Sequence, residues 1–249
     1  MAASQETGSR PAISAHQGGS ERVRPSTYEA YQQAAATGAE YVEFDIRRTR
    51  DRILVVWHDA QAGRPGRPVP ELSYAQLCEA AGYPVPRVEE VMRLLAGQAT
   101  GHLDLKETGY EDEVIDLALA TFGPGNFVAT SLEDTSIAAI KRSFPDVRTA
   151  LSLGRGLREV PPWRWPALRA SELFPVDRIR RCGADWVAVN HQLARLGVIG
   201  ACQRLGIGVM VWTVDSDSLI SEFLADQRVD VLITNRPRYA VQLRARLRG

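Results

Sequence analysis

The chain has 249 residues, of which 45% are hydrophobic and 24% charged, and its 30 basic and 30 acidic residues give a formal net charge of zero. This length suits one domain of the α/β-barrel size, or two small ones. The lack of a basic surplus argues against a nucleic-acid partner, and no apolar run is long enough to predict stable membrane insertion.

The N-terminus and the cysteines bear on domain limits and location. Residues 1–11 are polar and lack the basic patch and apolar stretch of a secretory signal, so we predict a disordered tail there and one domain over residues 12–249. Cys78, Cys182 and Cys202 are odd in number and form no CxxC pair, which favours a reducing compartment. We therefore expect a cytoplasmic protein, and the sequence leaves its oligomeric state open.

The first predicted elements form a β-α-β unit. A strand over residues 11–16 is followed by a Gly-Gly turn, where the backbone can approach a ligand closely. Ser26 or Thr27 can cap a helix that runs to about Thr37. The next strand covers residues 41–46, since this apolar segment is short and rich in β-forming residues.

Two carboxylates occupy one face of that second strand. Alternation places Glu43 and Asp45 on the same side, with Val42, Phe44 and Ile46 on the other. Carboxylates so close together repel each other and lose free energy when they are buried. A divalent cation would remove both costs, although the pair could instead lie on a solvent-exposed face.

The next strand, residues 53–57, must run antiparallel to its predecessor. Only residues 47–52 separate the two strands, whereas a parallel crossover needs a dozen or more residues. The return strand would therefore bring His58 back toward Glu43 and Asp45.

The remaining segments alternate strands with helices. Strands are predicted at residues 101–106, 126–131, 147–153, 186–190, 208–214 and 229–234, and helices at residues 73–81, 88–95, 111–122, 135–143, 176–182, 194–205, 219–227 and from 239 onward. Residues 154–175 are predicted to be irregular. Apart from the return strand at residues 53–57, eight strand-like segments remain, and the crossover helices between them favour a closed (β/α)8 TIM barrel with an antiparallel hairpin after the second strand.

The polar residues near strand ends point to an enzyme, because barrel chemistry occurs at the C-terminal ends of the strands. On the fourth predicted strand, residues 101–106, His102, Asp104 and Lys106 share one face. Lys106 is one of only two lysines in the chain. Residues at or near such ends are His16, Glu43, Asp45, Asp104, Lys106, Trp212 and Asn235.

An ordered set of motifs over residues 12–240 resembles the glycerophosphodiester phosphodiesterases. The motifs are Ala15-His-Gln-Gly-Gly19, Glu43-Phe-Asp45, His58-Asp59, Asp104-Leu-Lys106, Val211-Trp-Thr-Val-Asp215 and Ile233-Thr-Asn-Arg-Pro237. The resemblance implies a TIM barrel that binds one Mg2+ or Ca2+ ion and hydrolyses a small-molecule phosphodiester. It also implies that His16 and His58 are the general acid and base.

The other site assignments combine this resemblance with the chemistry of the residues. Glu43, Asp45 and Asp104 are expected to hold the metal, and Lys106 to stabilise the anionic transition state. His102 and Trp212 are expected to contact the substrate.

Three departures from the family pattern bear on the substrate. Gln17 replaces an Arg that contacts phosphate, so a bidentate fork is missing. Pro25 occupies the position of a usual Glu, and Asp104 that of a longer Glu. We expect Gln17 to contact the substrate and Arg24 to restore the lost charge from a neighbouring position.

Three functions remain open at this stage. The first is metal-dependent cleavage of glycerophosphodiesters to glycerol 3-phosphate and an alcohol. The second is a lysophospholipase D or sphingomyelinase D-like activity, with residues 154–175 holding an acyl chain. The third is a binding protein of the same fold with weak or no turnover, which Gln17 and Pro25 would explain.

Overall fold

The computed structural model describes residues 10–157 and 160–247. The tail predicted at the N-terminus falls mostly on residues 1–9, outside the described residues. The strands are β1 (Ala12–Ala15), β2 (Tyr41–Arg48), β3 (Leu54–Val56), β4 (Gln61–Ala62), β5 (Arg67–Pro68), β6 (Thr100–Leu105), β7 (Phe127–Ser131), β8 (Thr149–Leu153), β9 (Trp186–Asn190), β10 (Gly208–Trp212) and β11 (Val231–Thr234).

Eight of these strands close into a parallel barrel. The order around it is β1, β2, β6, β7, β8, β9, β10 and β11, and β1 pairs with both β2 and β11. The predicted (β/α)8 TIM barrel is therefore confirmed.

The helices occupy the connections between strands. They are α1 (Tyr28–Ala35), α2 (Tyr74–Ala81), α3 (Val88–Leu95), α4 (Glu111–Phe122), α5 (Asp134–Ser143), α6 (Trp165–Leu173), α7 (Val176–Cys182), α8 (His191–Leu193), α9 (Ile199–Arg204), α10 (Asp217–Ala225) and α11 (Pro237–Arg246). No helix among residues 10–157 and 160–247 is long and apolar enough to cross a bilayer.

Two predicted segments differ from the structure. Residues 154–175 are not irregular throughout, because α6 begins at Trp165 with Pro166 in its first turn. Proline is tolerated there, since an N–H in the first turn has no partner within the helix. The helix predicted over residues 194–205 is interrupted at Ala194–Val198, where Gly197 has a positive φ of 104°.

The hairpin after the second strand is confirmed. Strand β3 pairs antiparallel with β2, with Val56 opposite Ile46. A small sheet of β4 and β5, which the sequence analysis did not predict, follows it. The hairpin, the small sheet and α2 pack over a separate apolar cluster that includes Val55, Val69 and Leu77.

The two faces of β2 divide apolar from polar residues. Val42, Phe44 and Ile46 belong to the main core between the barrel and its helices. Each such buried side chain stabilises the fold by about 1.5–3 kcal/mol. Glu43 and Asp45 lie on the opposite face, as the alternation predicted, and only 3% and 0% of their surfaces are exposed.

Candidate active site

A cavity of about 290 Å³ opens at the C-terminal ends of the barrel strands. The side chains around it include both polar, ionisable groups and apolar walls. Its lining residues are His16, Glu43, His58, His102, Asp104, Lys106, Thr130, Leu132, Ser152, Gly154, Arg155, Gly156, Ala188, Trp212 and Ile233.

Three carboxylates meet at one side of this cavity. Asp45 on β2 and Asp104 on β6 are direct partners in the sheet register, and Glu43 lies two residues before Asp45 on the same face. One oxygen from each of Glu43, Asp45 and Asp104 lies within 4.8 Å of the others. The parallel register therefore brings together the three residues that the sequence proposed as metal ligands.

Lys106 is the counter-charge closest to this cluster. Its Nζ lies 2.8 Å from Asp45 Oδ1 and 2.5 Å from Asp104 Oδ2. Burial would lower the pKa of Lys106, but the facing carboxylates outweigh it and raise the pKa instead. Lys106 is therefore charged at any physiological pH.

Glu43 and Asp45 respond in opposite directions to the same surroundings. Burial raises the pKa of Glu43 well above its ordinary value, and the neighbouring Asp45 and Asp104 add to the effect. Burial acts the same way on Asp45, but Lys106 outweighs it and holds the pKa of Asp45 at about 2. Without a cation, Glu43 is therefore more readily protonated than Asp45.

The donor set fits a hard divalent cation. Every donor atom is a carboxylate oxygen, which is the ligand type that Mg2+ and Ca2+ prefer. When ionised, Glu43, Asp45 and Asp104 carry three negative charges against the one positive charge of Lys106. One divalent ion would neutralise the remaining two negative charges. In residues 10–157 and 160–247, this is the only group of three or more His, Cys, Asp or Glu side chains that could hold a metal ion.

The turn after β1 is held by the same carboxylates. Gln17 has a left-handed φ of 52°, a conformation that costs a non-glycine residue about 1–3 kcal/mol. Its backbone N–H donates to Glu43 Oε2 and its side-chain amide to Asp45 Oδ2, both at 2.7 Å. Gly18 must be glycine, because its φ is 77° and a Cβ would lie 2.9 Å from the backbone of Ala30.

His16 is oriented by residues from the far end of the chain. Asn235 donates its amide to Asp215 at 2.8 Å, which leaves its Oδ1 to accept from His16 Nδ1 at 2.9 Å. The proton is therefore on Nδ1, and Nε2, 4.0 Å from Glu43, carries the lone pair. Burial lowers the pKa of His16, although Asp45 opposes the shift.

His58 reaches the cavity because the hairpin returns it there. Its Nδ1 lies 2.8 Å from the exposed Asp59 carboxylate. The guanidinium of Arg47 donates to the His58 carbonyl from both Nε and Nη2, and pairs with Glu107 through Nη1. Arg47 fixes the backbone at His58, a role that nothing in the sequence pattern predicted.

His102 lies in the cavity wall with both ring nitrogens engaged. Thr130 Oγ1 donates to Asp104 Oδ1 at 2.8 Å and so accepts from His102 Nε2 at 3.2 Å. Nδ1 of His102 then accepts from Ser14 Oγ at 3.1 Å. Burial lowers the pKa of His102 to about 4. The ring is therefore a neutral link that orients Thr130, and Thr130 in turn orients Asp104.

The other predicted substrate residues are placed differently. Trp212 lines the cavity and its Nε1 donates to the Ala188 carbonyl at 2.9 Å. Arg24 is exposed outside the cavity, with its guanidinium 4.3 Å from the centre of the Tyr83 ring. Arg155 lines the cavity and was missed by the sequence analysis. The sequence could have indicated Arg155, because it lies only two residues after the end of β8, where barrel active-site residues are found.

A (β/α)8 barrel with an acidic cluster, a lysine and histidines at its C-terminal rim has the arrangement of a barrel enzyme with a site for a cation. Comparison with known proteins makes this class specific. The model of the glycerophosphoryl diester phosphodiesterase family matches residues 16–239. The chain therefore belongs to this family, whose members are phosphoric diester hydrolases.

Individual relatives are distant but match over nearly the whole length. A glycerophosphodiester phosphodiesterase of Caldanaerobacter subterraneus subsp. tengcongensis is 24% identical, covering 93% of this chain and 96% of the relative. A crystal structure of the Thermotoga maritima enzyme of that name has a TM-score of 0.73 at 18% identity, covering 95% and 99% of the two chains. An Oleispira antarctica phosphodiesterase was solved with its product sn-glycerol-3-phosphate. It has a TM-score of 0.73 at 17% identity, and the match covers 94% of this chain and 96% of that one.

Proposed function

We propose that this protein is a metal-dependent hydrolase that cleaves glycerophosphodiesters, or a close relative of them, to glycerol 3-phosphate and an alcohol. One observation carries the proposal: Glu43, Asp104, Lys106, His16 and His58 line a single cavity of about 290 Å³, and Asp45 completes the carboxylate cluster beside it. The sn-glycerol-3-phosphate complex of the Oleispira antarctica phosphodiesterase, which shares the fold, supports the same substrate class.

Glu43, Asp45 and Asp104 would hold one Mg2+ or Ca2+ ion. When bound, the ion supplies charge neutralisation at the phosphoryl oxygens and makes phosphorus more electrophilic. Lys106 adds a positive charge at the same place. Its ammonium group does not have to move during the reaction, because Asp45 and Asp104 already hold it.

The two histidines divide the proton transfers. His16 is the general base, because its pKa is lowered and its Nε2 carries a free lone pair that can take the proton of the attacking glycerol hydroxyl group. This attack expels the alcohol and forms a cyclic phosphate, which water then opens to glycerol 3-phosphate with the two histidines in exchanged roles. His58 is the general acid, which delivers a proton from its Nε2 to the departing alkoxide while Asp59 accepts from its Nδ1. Both transfers use imidazole, whose ordinary pKa lies near neutrality.

The remaining residues position the reactants. Trp212 provides an apolar wall against the substrate. Gln17 holds the carboxylates that bind the metal, through its bonds to Glu43 and Asp45, and His102 does the same for Asp104 through Thr130.

A substrate panel tests the proposal. Glycerophosphocholine, glycerophosphoethanolamine, lysophosphatidylcholine and bis-(p-nitrophenyl) phosphate would be assayed with Mg2+, with Ca2+ and with EDTA. We expect hydrolysis of the glycerophosphodiesters that EDTA abolishes and one of the two metals restores. Hydrolysis unaffected by EDTA would contradict the metal site, and no hydrolysis of any diester would favour a binding protein without turnover.

A lysophospholipase D or sphingomyelinase D-like activity is the second candidate. It is favoured by three exposed aromatic residues around α6, since Trp163 and Phe174 are each 79% exposed and Trp165 is 37% exposed. Aromatic side chains at a surface suit contact with lipid. Preferential hydrolysis of lysophosphatidylcholine in the panel would support this candidate over the first.

We also propose a cytoplasmic location. The supporting observation is that Cys78, Cys182 and Cys202 are all free thiols, as expected in a reducing compartment. Fractionation of cells that express the tagged protein would test the location.

A further inference from the structure

The cavity lacks the arginine that the family resemblance leads one to expect beside His16. Gln17 stands there, and its amide is committed to Asp45 at 2.7 Å. Arg24, the nearest candidate in sequence, lies over Tyr83 instead of in the cavity. A phosphodiester brings its own negative charge, so a fixed cation besides Lys106 would favour its binding.

Among residues 10–157 and 160–247, Arg155 supplies the only guanidinium that lines the cavity. It follows β8, which lies opposite β1 in the ring of eight strands. Its Nη2 donates to Glu133 at 2.6 Å and to the Leu132 carbonyl at 3.4 Å. Nε and Nη1 donate to no acceptor in the part of the chain that the structure describes, so part of the fork remains available for a ligand.

The backbone around Arg155 is rigidly built. Glu172, which is only 1% exposed, accepts the backbone N–H groups of both Gly154 and Arg155 at 2.8 Å. Gly154 has a φ of 121°, and a Cβ there would lie 2.5 Å from that of Asn190. A buried carboxylate and an obligatory glycine thus fix the position from which the guanidinium projects.

We propose that Arg155 binds a non-bridging oxygen of the phosphodiester and supplies the guanidinium that Gln17 cannot. This assignment rests on the proposed function and adds to it a substrate-binding residue after β8, two strands away from the Asp104 strand β6. Glu133 is its positioning residue, because it holds Nη2 and leaves the other nitrogens of the fork for the substrate.

The test is Arg155→Met, assayed with glycerophosphocholine in the presence of the activating metal. Loss of a charge-assisted hydrogen bond predicts a fall in kcat/KM of about tenfold to a hundredfold. Arg155→Lys should recover part of this loss, because it keeps the charge without the fork. Added guanidinium ion should also raise the activity of Arg155→Met, which a purely structural role would not allow.

Two further variants serve as comparisons. Arg142→Met removes an exposed arginine on α5, outside the cavity, and should leave kcat/KM unchanged. Arg24→Met tests the alternative source of the missing charge. A loss in Arg24→Met without a loss in Arg155→Met would overturn the proposal, as would a loss in Arg155→Met that neither lysine nor guanidinium recovers.

A binding measurement separates this inference from the proposed function. Calorimetry with glycerol 3-phosphate and the metal should give a dissociation constant about tenfold higher for Arg155→Met than for the unmodified protein. If the unmodified protein binds glycerol 3-phosphate in this way but hydrolyses no diester, only the proposed function fails. If it hydrolyses glycerophosphocholine and Arg155→Met matches it in both assays, only the inference fails.

Discussion

The two sides of the cavity are built in different ways. The acidic wall is formed by His16, Glu43, Asp45 and Asp104. Strand register fixes its three carboxylates on β2 and β6, whereas His16 follows β1 directly and is held by Asn235. The loop wall, formed by Gly154, Arg155 and Glu172, depends on one carboxylate that reaches back from α6 across 17 and 18 residues.

This difference separates chemistry from recognition. Carboxylates that share a metal need positions accurate to a fraction of an ångström, and strands in register provide this. Substrate recognition can vary on a loop without disturbing the barrel. The loop wall is accordingly where this chain can compensate for the neutral Gln17.

The largest expected effect lies on the acidic wall. His16→Ala should lower kcat by about 100- to 10,000-fold, because the attacking hydroxyl group loses its general base. Steady-state kinetics with the activating metal measures the change, and His191→Ala, whose side chain does not line the cavity, is the control. Retention of a tenth or more of the activity by His16→Ala would contradict its assignment.

A smaller effect is expected at Thr130, which joins the acidic wall to β7. Thr130→Val removes the hydroxyl that donates to Asp104 at 2.8 Å. Loss of such an orienting group typically weakens metal affinity about tenfold to a hundredfold. Calorimetric titration with Mg2+ and Ca2+ measures this, and Thr130→Ser, which keeps the hydroxyl, should bind as the unmodified protein does. Equal affinities for the valine and serine variants would show that Thr130 does not orient Asp104.

His102 links the acidic wall to the stability of the fold. Burial holds its pKa at about 4, below the ordinary value of 6.5, so between these values the unfolded chain binds a proton that the folded chain does not. The free energy of unfolding therefore falls as the pH drops through this window, and this one group accounts for about 2 kcal/mol between pH 7 and pH 5. Urea unfolding in EDTA should show that His102→Gln lacks this part of the pH dependence. If the free energy of unfolding has the same pH dependence in both proteins, His102 does not contribute as expected.

The smallest effect on soluble substrates is expected at the exposed aromatic residues on either side of α6. Trp163→Ser combined with Phe174→Ser should change kcat/KM for glycerophosphocholine by no more than about twofold, since both side chains are 79% exposed. If the second candidate function holds, the same variant should lose about tenfold or more on lysophosphatidylcholine. If the double variant changes kcat/KM by the same factor on both substrates, these aromatic residues no longer support a lipid substrate.

Several elements could be predicted because their signals are local. The six residues between the second and third strands forced a hairpin, and alternation separated Glu43 and Asp45 from Phe44. Helices α3, α4 and α7 have the predicted bounds. Helix α6 was missed, because Pro161, Pro162 and Pro166 before and within its first turn have the appearance of a loop in the sequence.

The sequence by itself therefore determined the barrel, the hairpin, the family and the residue types at the strand ends. Tertiary structure alone decided that Asn235 orients His16 from 219 residues away, that Arg24 lies over Tyr83, and that Arg155 enters the cavity. The physical reason is range. Strand period and connection length act between neighbours in the chain, whereas the direction of a long side chain depends on partners that only the folded barrel brings within hydrogen-bond distance.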